Sequence, residues 1–599
     1  MSITFSNALI LFAIGFTMIY LFLSIYSRDV RESPMIKNLK ALKILKVTII
    51  SLGLSVSALT LCTNWFKDSL WYITAIIILT ILIFLIIING DKVSALISLL
   101  SLQITLHFVP IPKLDMIILE EGSEMTACLA RSGFWDPICA HNPSYNPFPV
   151  VASIITILSQ VVGVEWYRWT TVHILFYIPF YIAYDLLLIN FSRALIDNWR
   201  VSYISVYLIT ITPETFLHGH SYQWLANLLN LTCLYIFIKI LRGSLHRSTS
   251  IVSIIIAYLT AILTHATAMN YLLVLLSIIV AYHITTRKYN FVILIKDVIK
   301  NKGFRLISNI ALAILIVATS ITFIRAIYTY NYEKYIVGSL IDFIRTFISP
   351  EIFGEKAYRP LYERTNVNPI QAYVWSLAIA IATADILYAI LKKDLETLDL
   401  ALFIGSTLIL ALGYIYVLIT PGTPTTALYR GMYTAIPYII PIASRGLYRT
   451  LENSRITLII SLIILALATP IASQDPGINF KIYEQIKGSQ TIEYTISDYI
   501  EALILYNTIS RTYSGSSTMV EDRCLFISER LYKASLLTAA RGYLGVEYRS
   551  PTIDVLNMLR LINGDSLLTR IKILERSSTD IPFIPLVYHS STNMIFCEW

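Results

Sequence analysis

Long apolar runs separated by short polar gaps fill most of the first 473 residues of the chain. Most runs have about 20 residues, the length with which an α-helix crosses the hydrocarbon core of a bilayer. The pattern therefore predicts about fourteen transmembrane helices. We expect them near residues 3–26, 46–64, 70–89, 93–110, 165–190, 201–217, 223–241, 251–264, 268–284, 306–325, 369–391, 398–419, 428–443 and 456–473.

Two apolar stretches need a closer interpretation. Residues 251–284 are interpreted as two short spans with a turn near His265, because a single long helix would place the basic segment 285–305 outside the cell. Residues 150–163 are apolar but too short to cross a bilayer. We expect them to form a helix that lies in the membrane interface.

Lys and Arg recur in every second gap between the apolar runs, and this alternation orients the chain. The positive-inside rule makes these gaps cytoplasmic and places the N-terminus outside. The first run has no basic segment before it and no small-residue cleavage site, so it is interpreted as a span and not as a signal peptide. Loop 111–164 and residues 474–599 then face the exterior. The first basic gap contains Arg28, Arg31, Lys37, Lys40, Lys43 and Lys46.

Composition supports this interpretation. Hydrophobic residues make up 56% of the chain and charged residues 14%, a balance that excludes a soluble globular protein. The net charge of +8 comes mainly from the cytoplasmic flanks, so it indicates membrane orientation and not nucleic-acid binding. Residues 474–599 are more polar, and we expect them to form a small extracytoplasmic α/β or α+β domain.

The six cysteines fall into two groups. Cys62 and Cys233 lie within predicted spans and are expected to be core residues. The other four lie in predicted exterior segments, where disulfides can form. They are Cys128 and Cys139 in loop 111–164, and Cys524 and Cys597 in the tail.

Four carboxylates in the first long exterior loop are candidates for a general base or for a divalent-cation site. The alternative is an ordinary solvated acidic loop. They are Asp115, Glu120, Glu121 and Glu124.

Three histidines lie at the predicted exterior ends of spans: His218, His220 and His265. Two or three neutral imidazoles with a carboxylate would suit a metal such as Zn²⁺ or Mn²⁺. The alternative is that they only hydrogen-bond to lipid head groups or to substrate.

Three charged residues belong to the predicted spans or their edges. Arg430 lies at an exterior boundary, where its guanidinium would bind a phosphate; the alternative is that it extends to the interface beside an apolar span. Arg325, Arg345 and Arg359 are lesser candidates for this role. Asp185 and Asp385 lie inside spans, towards the cytoplasmic half. They would mark an ion path, or else face a hydrated crevice or a nearby Lys or Arg.

The order of these features resembles the GT-C fold glycosyltransferases, a family that includes protein mannosyltransferases and the catalytic subunit of archaeal oligosaccharyltransferase. Gly133-Phe134-Trp135 followed by Tyr145-Asn146-Pro147-Phe148-Pro149 is similar to the family's first exterior loop. The segments His218 to Gln223 and Thr264-His265 are similar to motifs of archaeal members. Tyr429-Arg430 resembles the arginine of a late span that holds lipid phosphate.

The resemblance implies a GT-C-like membrane domain over 93–473, with 1–92 as additional N-terminal transmembrane helices and 474–599 as the exterior domain. It implies transfer of a sugar from a polyprenyl-phosphate donor to a lipid, glycan or protein acceptor at the plasma membrane. Arg430, Tyr222 and Gln223 would bind substrate or phosphate, and a divalent metal (Mn²⁺, Mg²⁺ or Zn²⁺) is a candidate cofactor, the alternative being that there is none. The catalytic residue of the family is usually Asp, whereas the best-placed acids here are glutamates.

Two other classes of protein stay open. A transporter or flippase of lipid-linked glycans would use Asp185 and Asp385 and would show an internal repeat of its spans. No such repeat is evident, and polar groups concentrate on one face of the membrane. A membrane scaffold without catalytic activity would leave the exterior acids and histidines far apart.

Overall fold

The structure is a computed structural model, and it shows a chain that is mostly helical. It describes residues 5–26, 39–63, 66, 69–89, 91–107, 126, 129–130, 133, 148–163, 178–212, 221–245, 247–286, 371–419, 426–453, 455–472, 524–528, 586–589 and 593–597.

Fourteen α-helices and three strands lie within these described residues. The helices of the N-terminal half are α1 (Phe5–Tyr26), α2 (Leu39–Cys62), α3 (Leu70–Asn89), α4 (Lys92–His107), α5 (Pro149–Val162), α6 (Ile178–Ile196), α7 (Trp199–Ile211), α8 (Ser221–Leu241), α9 (Arg247–Thr264) and α10 (Asn270–Thr286). The later helices are α11 (Gln371–Lys392), α12 (Thr397–Ile419), α13 (Thr426–Asn453) and α14 (Arg455–Ala472). The strands are β1 (Cys524–Ser528), β2 (Leu586–His589) and β3 (Asn593–Cys597).

Within the described part of the chain, five helical segments are long and apolar enough to cross a membrane: 41–62, 70–89, 222–241, 373–392 and 455–472. Their outer surfaces are apolar as well, as in α3, where Leu70 is 80% and Trp71 73% exposed. Such surfaces suit lipid and would be unusual in water. The chain is therefore an α-helical membrane protein. The full number of crossings and the side that each loop faces stay predictions.

The chain divides into two compact units. The first comprises Met1–Pro112, Phe180–Phe323 and Ile336–Tyr483, and the second comprises Lys113–Pro179, Ile324–Tyr335 and Glu484–Trp599. Helix α5 and the strands belong to the second unit. The functional boundaries predicted at residues 92 and 473 stay predictions.

Helix α13 lies at the centre of the first unit. It packs against α1, α7, α8, α11, α12 and α14, and its residues 431–443 are almost wholly buried. Helix α7 is also enclosed, with every residue from Val201 to Ile211 buried. Serines link these helices: Ser205 Oγ lies 2.9 Å from Oγ of both Ser192 and Ser444. Small hydroxyl residues at helix contacts are typical of membrane proteins, where backbones approach closely.

The break predicted at His265 is confirmed. Helix α9 ends at Thr264, and His265 accepts a hydrogen bond through Nδ1 from the backbone N–H of Thr267, 3.1 Å away. This contact caps a short 3₁₀ turn, Ala266–Met269, before α10 begins. The predicted helix at 150–163 is confirmed as a helix by α5. Its placement in the membrane interface stays a prediction.

Two predicted helix ends were wrong. The span expected at 201–217 ends at Ile211, because Thr212 precedes Pro213 and adopts an extended backbone with ψ of 121°. The span expected at 428–443 continues to Asn453 in spite of Pro437 and Pro441. The arginines expected in a cytoplasmic gap, Arg445 and Arg449, are therefore helical residues.

The cysteine prediction is confirmed in one case and wrong in the other. Cys233 is buried in α8, with its Sγ 3.6 Å from the carbonyl oxygen of Ile254. Cys62 is exposed at the end of α2, because the helix ends there, and it is not a core residue.

Candidate functional site

Asp185 belongs to a buried polar cluster, which we call the Asp185 cluster and which also contains Gln103, His107 and Thr210. Gln103 donates from Nε2 to Asp185 Oδ1 at 2.9 Å and lies 3.1 Å from Thr210 Oγ1. All four side chains are almost inaccessible to solvent. The cluster joins α4, α6 and α7, and its hydrogen bonds offset the cost of burying polar groups among apolar helices.

His107 closes this cluster at the end of α4. Its Nε2 lies 2.7 Å from the carbonyl oxygen of Thr210, and since a carbonyl only accepts, Nε2 must carry the proton. The imidazole stacks on Tyr181, with the ring centroids 6.3 Å apart. The contact fixes both the tautomer and the orientation of His107.

Asp185 lies near one end of α7. Its neighbour Thr210 lies one residue from the end of α7, which leads into the predicted exterior turn after Thr212. Asp185 therefore lies close to the end of α7, and the expectation that it lies towards the cytoplasmic half stays a prediction.

A row of aromatic side chains leads from Asp185 across the first unit. Tyr184 packs edge-on against Trp224, with ring centroids 6.0 Å apart, and Trp224 lies 5.8 Å from Tyr433. Trp375 lies 5.4 Å from the other side of Tyr433. This aromatic row connects α6, α8, α13 and α11, and it fills the space between their predicted exterior ends.

The beginning of α8 is bonded to α13 beside this row. Gln223 donates from Nε2 to Thr434 Oγ1 at 3.1 Å, and Asn227 donates to the carbonyl oxygen of Tyr433 at 3.4 Å. Position 430 lies four residues before Thr434, so it occupies the same face of α13 one helical turn closer to the helix start. The contact thus places Arg430 and the start of α8 at one end of the first unit. Tyr222, the other predicted substrate residue, is buried next to Gln223.

Asp385 is held by two arginines in what we call the Asp385 cluster, with Arg445, Arg449 and Asp399. Arg445 binds Asp385 Oδ2 through both Nε and Nη2 at 2.8 Å, and Arg449 Nη1 binds Oδ1 at 2.7 Å. Arg445 also contacts Asp399 at 2.5 Å. The expectation that Asp385 faces a nearby Lys or Arg is confirmed. These pairs join α11, α12 and α13, and they account for a charge inside a span.

His265 caps the 3₁₀ turn, and this hydrogen bond limits its predicted role as a metal ligand. Its Nδ1 accepts the Thr267 N–H, so a neutral imidazole carries its proton on Nε2. A metal at Nε2 would have to displace that proton. Among the residues that the structure describes, no group of three or more His, Cys, Asp or Glu forms a metal site.

The remaining predicted site residues lie outside the described part of the chain. They are Asp115, Glu120, Glu121, Glu124, His218 and His220, together with the lesser candidates Arg325, Arg345 and Arg359. Their roles stay predictions. Arg430 is described only by the position of its backbone in the first turns of α13.

Sequence reasoning missed the partners of Asp185. Gln103 and His107 are four residues apart in a predicted span and therefore share one face of the helix, which was the available signal. Thr210 offered none, because threonine is common in membrane helices. Trp224 directly follows the predicted Tyr222 and Gln223, but its contact with Tyr433 joins residues far apart in the sequence.

Comparison with known proteins gives a likeness to solved structures alone. No family model matches the chain, and no curated protein matches it. Among solved structures, the archaeal oligosaccharyltransferase AglB from Archaeoglobus fulgidus, in complex with an inhibitory peptide and a dolichol-phosphate, is similar with a TM-score of 0.40 and 13% sequence identity. The match covers 69% of this chain and 56% of that chain, so this chain spans little more than half the length of that protein.

Proposed function

We propose that this chain is a membrane glycosyltransferase that moves a sugar from a polyprenyl-phosphate-linked donor to a lipid, glycan or protein acceptor at the exterior face of the membrane. One of Asp115, Glu120, Glu121 and Glu124 would accept the proton of the acceptor hydroxyl. Arg430 would neutralise the leaving phosphate.

The contact between Gln223 and Thr434 is the observation that carries this proposal. It holds the predicted substrate residues Tyr222 and Gln223 one helical turn from the level of Arg430. These residues come from parts of the chain about 200 positions apart, and the resemblance assigned them a common task. A lipid-phosphate site requires such convergence at one end of the bundle.

The distribution of polar groups also favours transfer over transport. The Asp185 cluster and the aromatic row lie towards the predicted exterior ends of their helices, whereas Asp385 is occupied by Arg445 and Arg449. A transporter needs ionisable groups along a path near the midplane. The two acids that the transporter hypothesis requires therefore belong to separate clusters.

A divalent metal that would stabilise the leaving phosphate stays part of the proposal. His218 and His220 with a loop carboxylate would hold it, and it would supply positive charge to the leaving oxygen. His265 serves better as a helix cap than as a ligand. Chelation with EDTA and restoration by Mn²⁺, Mg²⁺ or Zn²⁺ would reveal a requirement.

The test is transfer by the purified full-length chain in liposomes. The donor is a polyprenyl phosphate carrying a radiolabelled hexose, and label is followed into the lipid, glycan and protein fractions of added membrane extract. We expect Arg430→Gln and one of the four loop variants, such as Glu121→Gln, to lower the initial rate about 100-fold or more. Arg242→Gln, at a distant helix end, and Asp394→Asn are matched controls that should keep the initial rate of the unsubstituted chain.

Two outcomes would overturn the proposal. The first is no transfer above empty liposomes from a folded chain with donors of several hexoses. The second is transfer that survives all four carboxylate substitutions and Arg430→Gln. Movement of a fluorescent lipid-linked glycan across the same liposomes, abolished by Asp185→Asn, would instead establish the transporter.

A further inference from the structure

Two cysteines face each other in the three-stranded sheet of the second unit. Strand β1 pairs with β3 in antiparallel orientation, and Cys524 is the Cα partner of Cys597. The same register pairs Leu525 with Phe596 and Phe526 with Ile595. Apolar residues opposite each other stabilise an antiparallel pair, so the register agrees with the sequence of both strands.

This placement meets the backbone requirement for a disulfide. Directly opposed residues of antiparallel strands lie on the same face of the sheet, with Cα atoms roughly 4.5 to 5.5 Å apart. A disulfide joins residues whose Cα atoms are about 4.4 to 6.8 Å apart. A shift of the register by one residue would put the two positions on opposite faces, so the pairing is specific to this register.

The position of the pair in the sheet gives such a bond a structural purpose. Among the strands that the structure describes, the order is β1-β3-β2, so β1 lies at the edge of this sheet. Cys524 is the first residue of β1 and Cys597 the last of β3. A bond here would fasten a short edge strand to the central strand and close a loop of about 70 residues, which restricts the unfolded chain strongly.

We propose that Cys524 and Cys597 form a disulfide that ties β1 to β3. In the reaction, two S–H bonds break and one S–S bond forms. The two protons and two electrons pass to the disulfide of a thiol–disulfide oxidoreductase, which becomes a dithiol. The bond requires an oxidising compartment, so it also assigns residues 524–597 to the exterior. The proposal does not depend on the glycosyltransferase activity.

The other described cysteines are poor competitors for this pairing. Cys62 and Cys233 lie in α2 and α8 of the first unit, and both are free thiols. They serve as internal controls for thiol chemistry, because they should react with a maleimide once the chain is denatured.

The experiment uses the full-length chain from intact cells. Cells are denatured in the presence of N-ethylmaleimide, and the purified protein is digested with trypsin without reductant. We expect one species that joins peptide 524–530, which begins after Arg523, to peptide 577–599, which begins after Arg576. Reductant should separate the two. Cys524→Ser should remove this species and leave Cys597 modified by the maleimide, whereas Cys128→Ser should leave it intact.

Disulfide mapping of the unsubstituted chain tests the proposed Cys524–Cys597 bond even where a variant fails to fold. Maleimide on both Cys524 and Cys597 in the unreduced sample would overturn the disulfide and the exterior placement of the sheet that it implies. A bond from either cysteine to Cys128 or Cys139 would overturn the pairing.

Discussion

Gln223 donates a hydrogen bond to Thr434, and this contact joins the start of α8 to α13 one turn from the level of Arg430. Thr434→Val keeps the shape of the side chain but removes the acceptor and leaves buried Gln223 without this bond. We expect a loss of about 1–3 kcal/mol in unfolding free energy and a weaker apparent affinity for the polyprenyl-phosphate donor.

Thermal unfolding in detergent and the KM for the donor measure the two effects. Thr434→Ser should restore both. Thr407→Val provides the matched control, because Thr407 is exposed on α12 and bonds only to Phe403 of its own helix. An unchanged donor KM in Thr434→Val would separate this contact from the proposed phosphate site.

Asp385 should be the most sensitive acid among the described residues. It is fully buried and binds Arg445 and Arg449, so Asp385→Ala leaves Arg449 without its carboxylate partner and Arg445 with Asp399 alone. Breaking a buried ion pair from one side costs about 3–5 kcal/mol. We expect the loss of unfolding free energy to lie near the lower end of this range, because both arginines keep partial contact with solvent.

Chemical unfolding in mixed micelles, followed by tryptophan fluorescence, would measure that loss. Asp394→Ala is the control, since Asp394 lies exposed after α11 and a surface substitution changes stability by about 0.5 kcal/mol or less. Equal effects of the two substitutions would contradict a stabilising role for the Asp385 cluster.

Two helical glycines should respond in opposite directions to alanine. A Cβ added at Gly446 would lie 3.0 Å from Asp385 Cβ and 3.3 Å from the carbonyl oxygen of Ile381, so α11 and α13 would have to separate. A Cβ at Gly15 meets nothing within 4 Å. We expect Gly446→Ala to lower the melting temperature, and Gly15→Ala to leave it unchanged or raise it, because alanine favours helix by about 1 kcal/mol over glycine. Differential scanning calorimetry compares the two, and a tolerated Gly446→Leu would refute the close approach.

Much of the helical architecture could be predicted because it depends on local composition. Runs of apolar residues determine α3, α8 and α14 almost to the residue, since the length of an apolar helix follows the thickness of a bilayer. The helix ends that were predicted wrongly depend on other effects. Pro213 stops α7 inside an apolar run, while α13 continues past Pro437 and Pro441 to Asn453.

The candidate site was less predictable, because its contacts join distant parts of the chain. Nothing near Asp185 in the sequence indicates that Gln103 is its donor, 82 residues away. Nor does the motif around Gln223 indicate that Thr434 accepts its hydrogen bond. Resemblance suggested Arg430 and Gln223 separately, and only the packing of α8 against α13 relates their positions.

The contributions of Gln103 and Asp185 to the unfolding free energy are expected to be coupled, because the two side chains share a hydrogen bond. Gln103→Leu removes the donor from a buried carboxyl, and Asp185→Leu removes the acceptor and leaves Gln103 Nε2 with Thr210 as its partner. The double substitution removes both, and its cost should be about 1 kcal/mol or more below the sum of the single costs. Unfolding of the four proteins measures this coupling. Asn190→Ala on the exposed side of α6 is the control, and additive effects would contradict the bond.

Asp91 should make stability depend on pH at the start of α4. It bonds to Lys46 of α2 and accepts the N–H of Ser94 at 3.1 Å. Partial burial raises its pKa, but Lys46 and Ser94 outweigh that effect and hold the pKa below its ordinary value of 3.8. A carboxyl whose pKa is lower in the folded state stabilises the fold above its unfolded pKa, and this contribution is lost as the pH falls through the folded pKa.

The unfolding free energies of the unmodified chain and of Asp91→Asn should therefore differ most above pH 3.8 and converge at lower pH. Measuring both chains at each pH removes the contribution of all other acids. In a Lys46→Met background the difference should shrink at neutral pH, because only the Ser94 contact remains. A difference that does not change between pH 6 and pH 2.5 would show that the carboxylate of Asp91 contributes through shape alone.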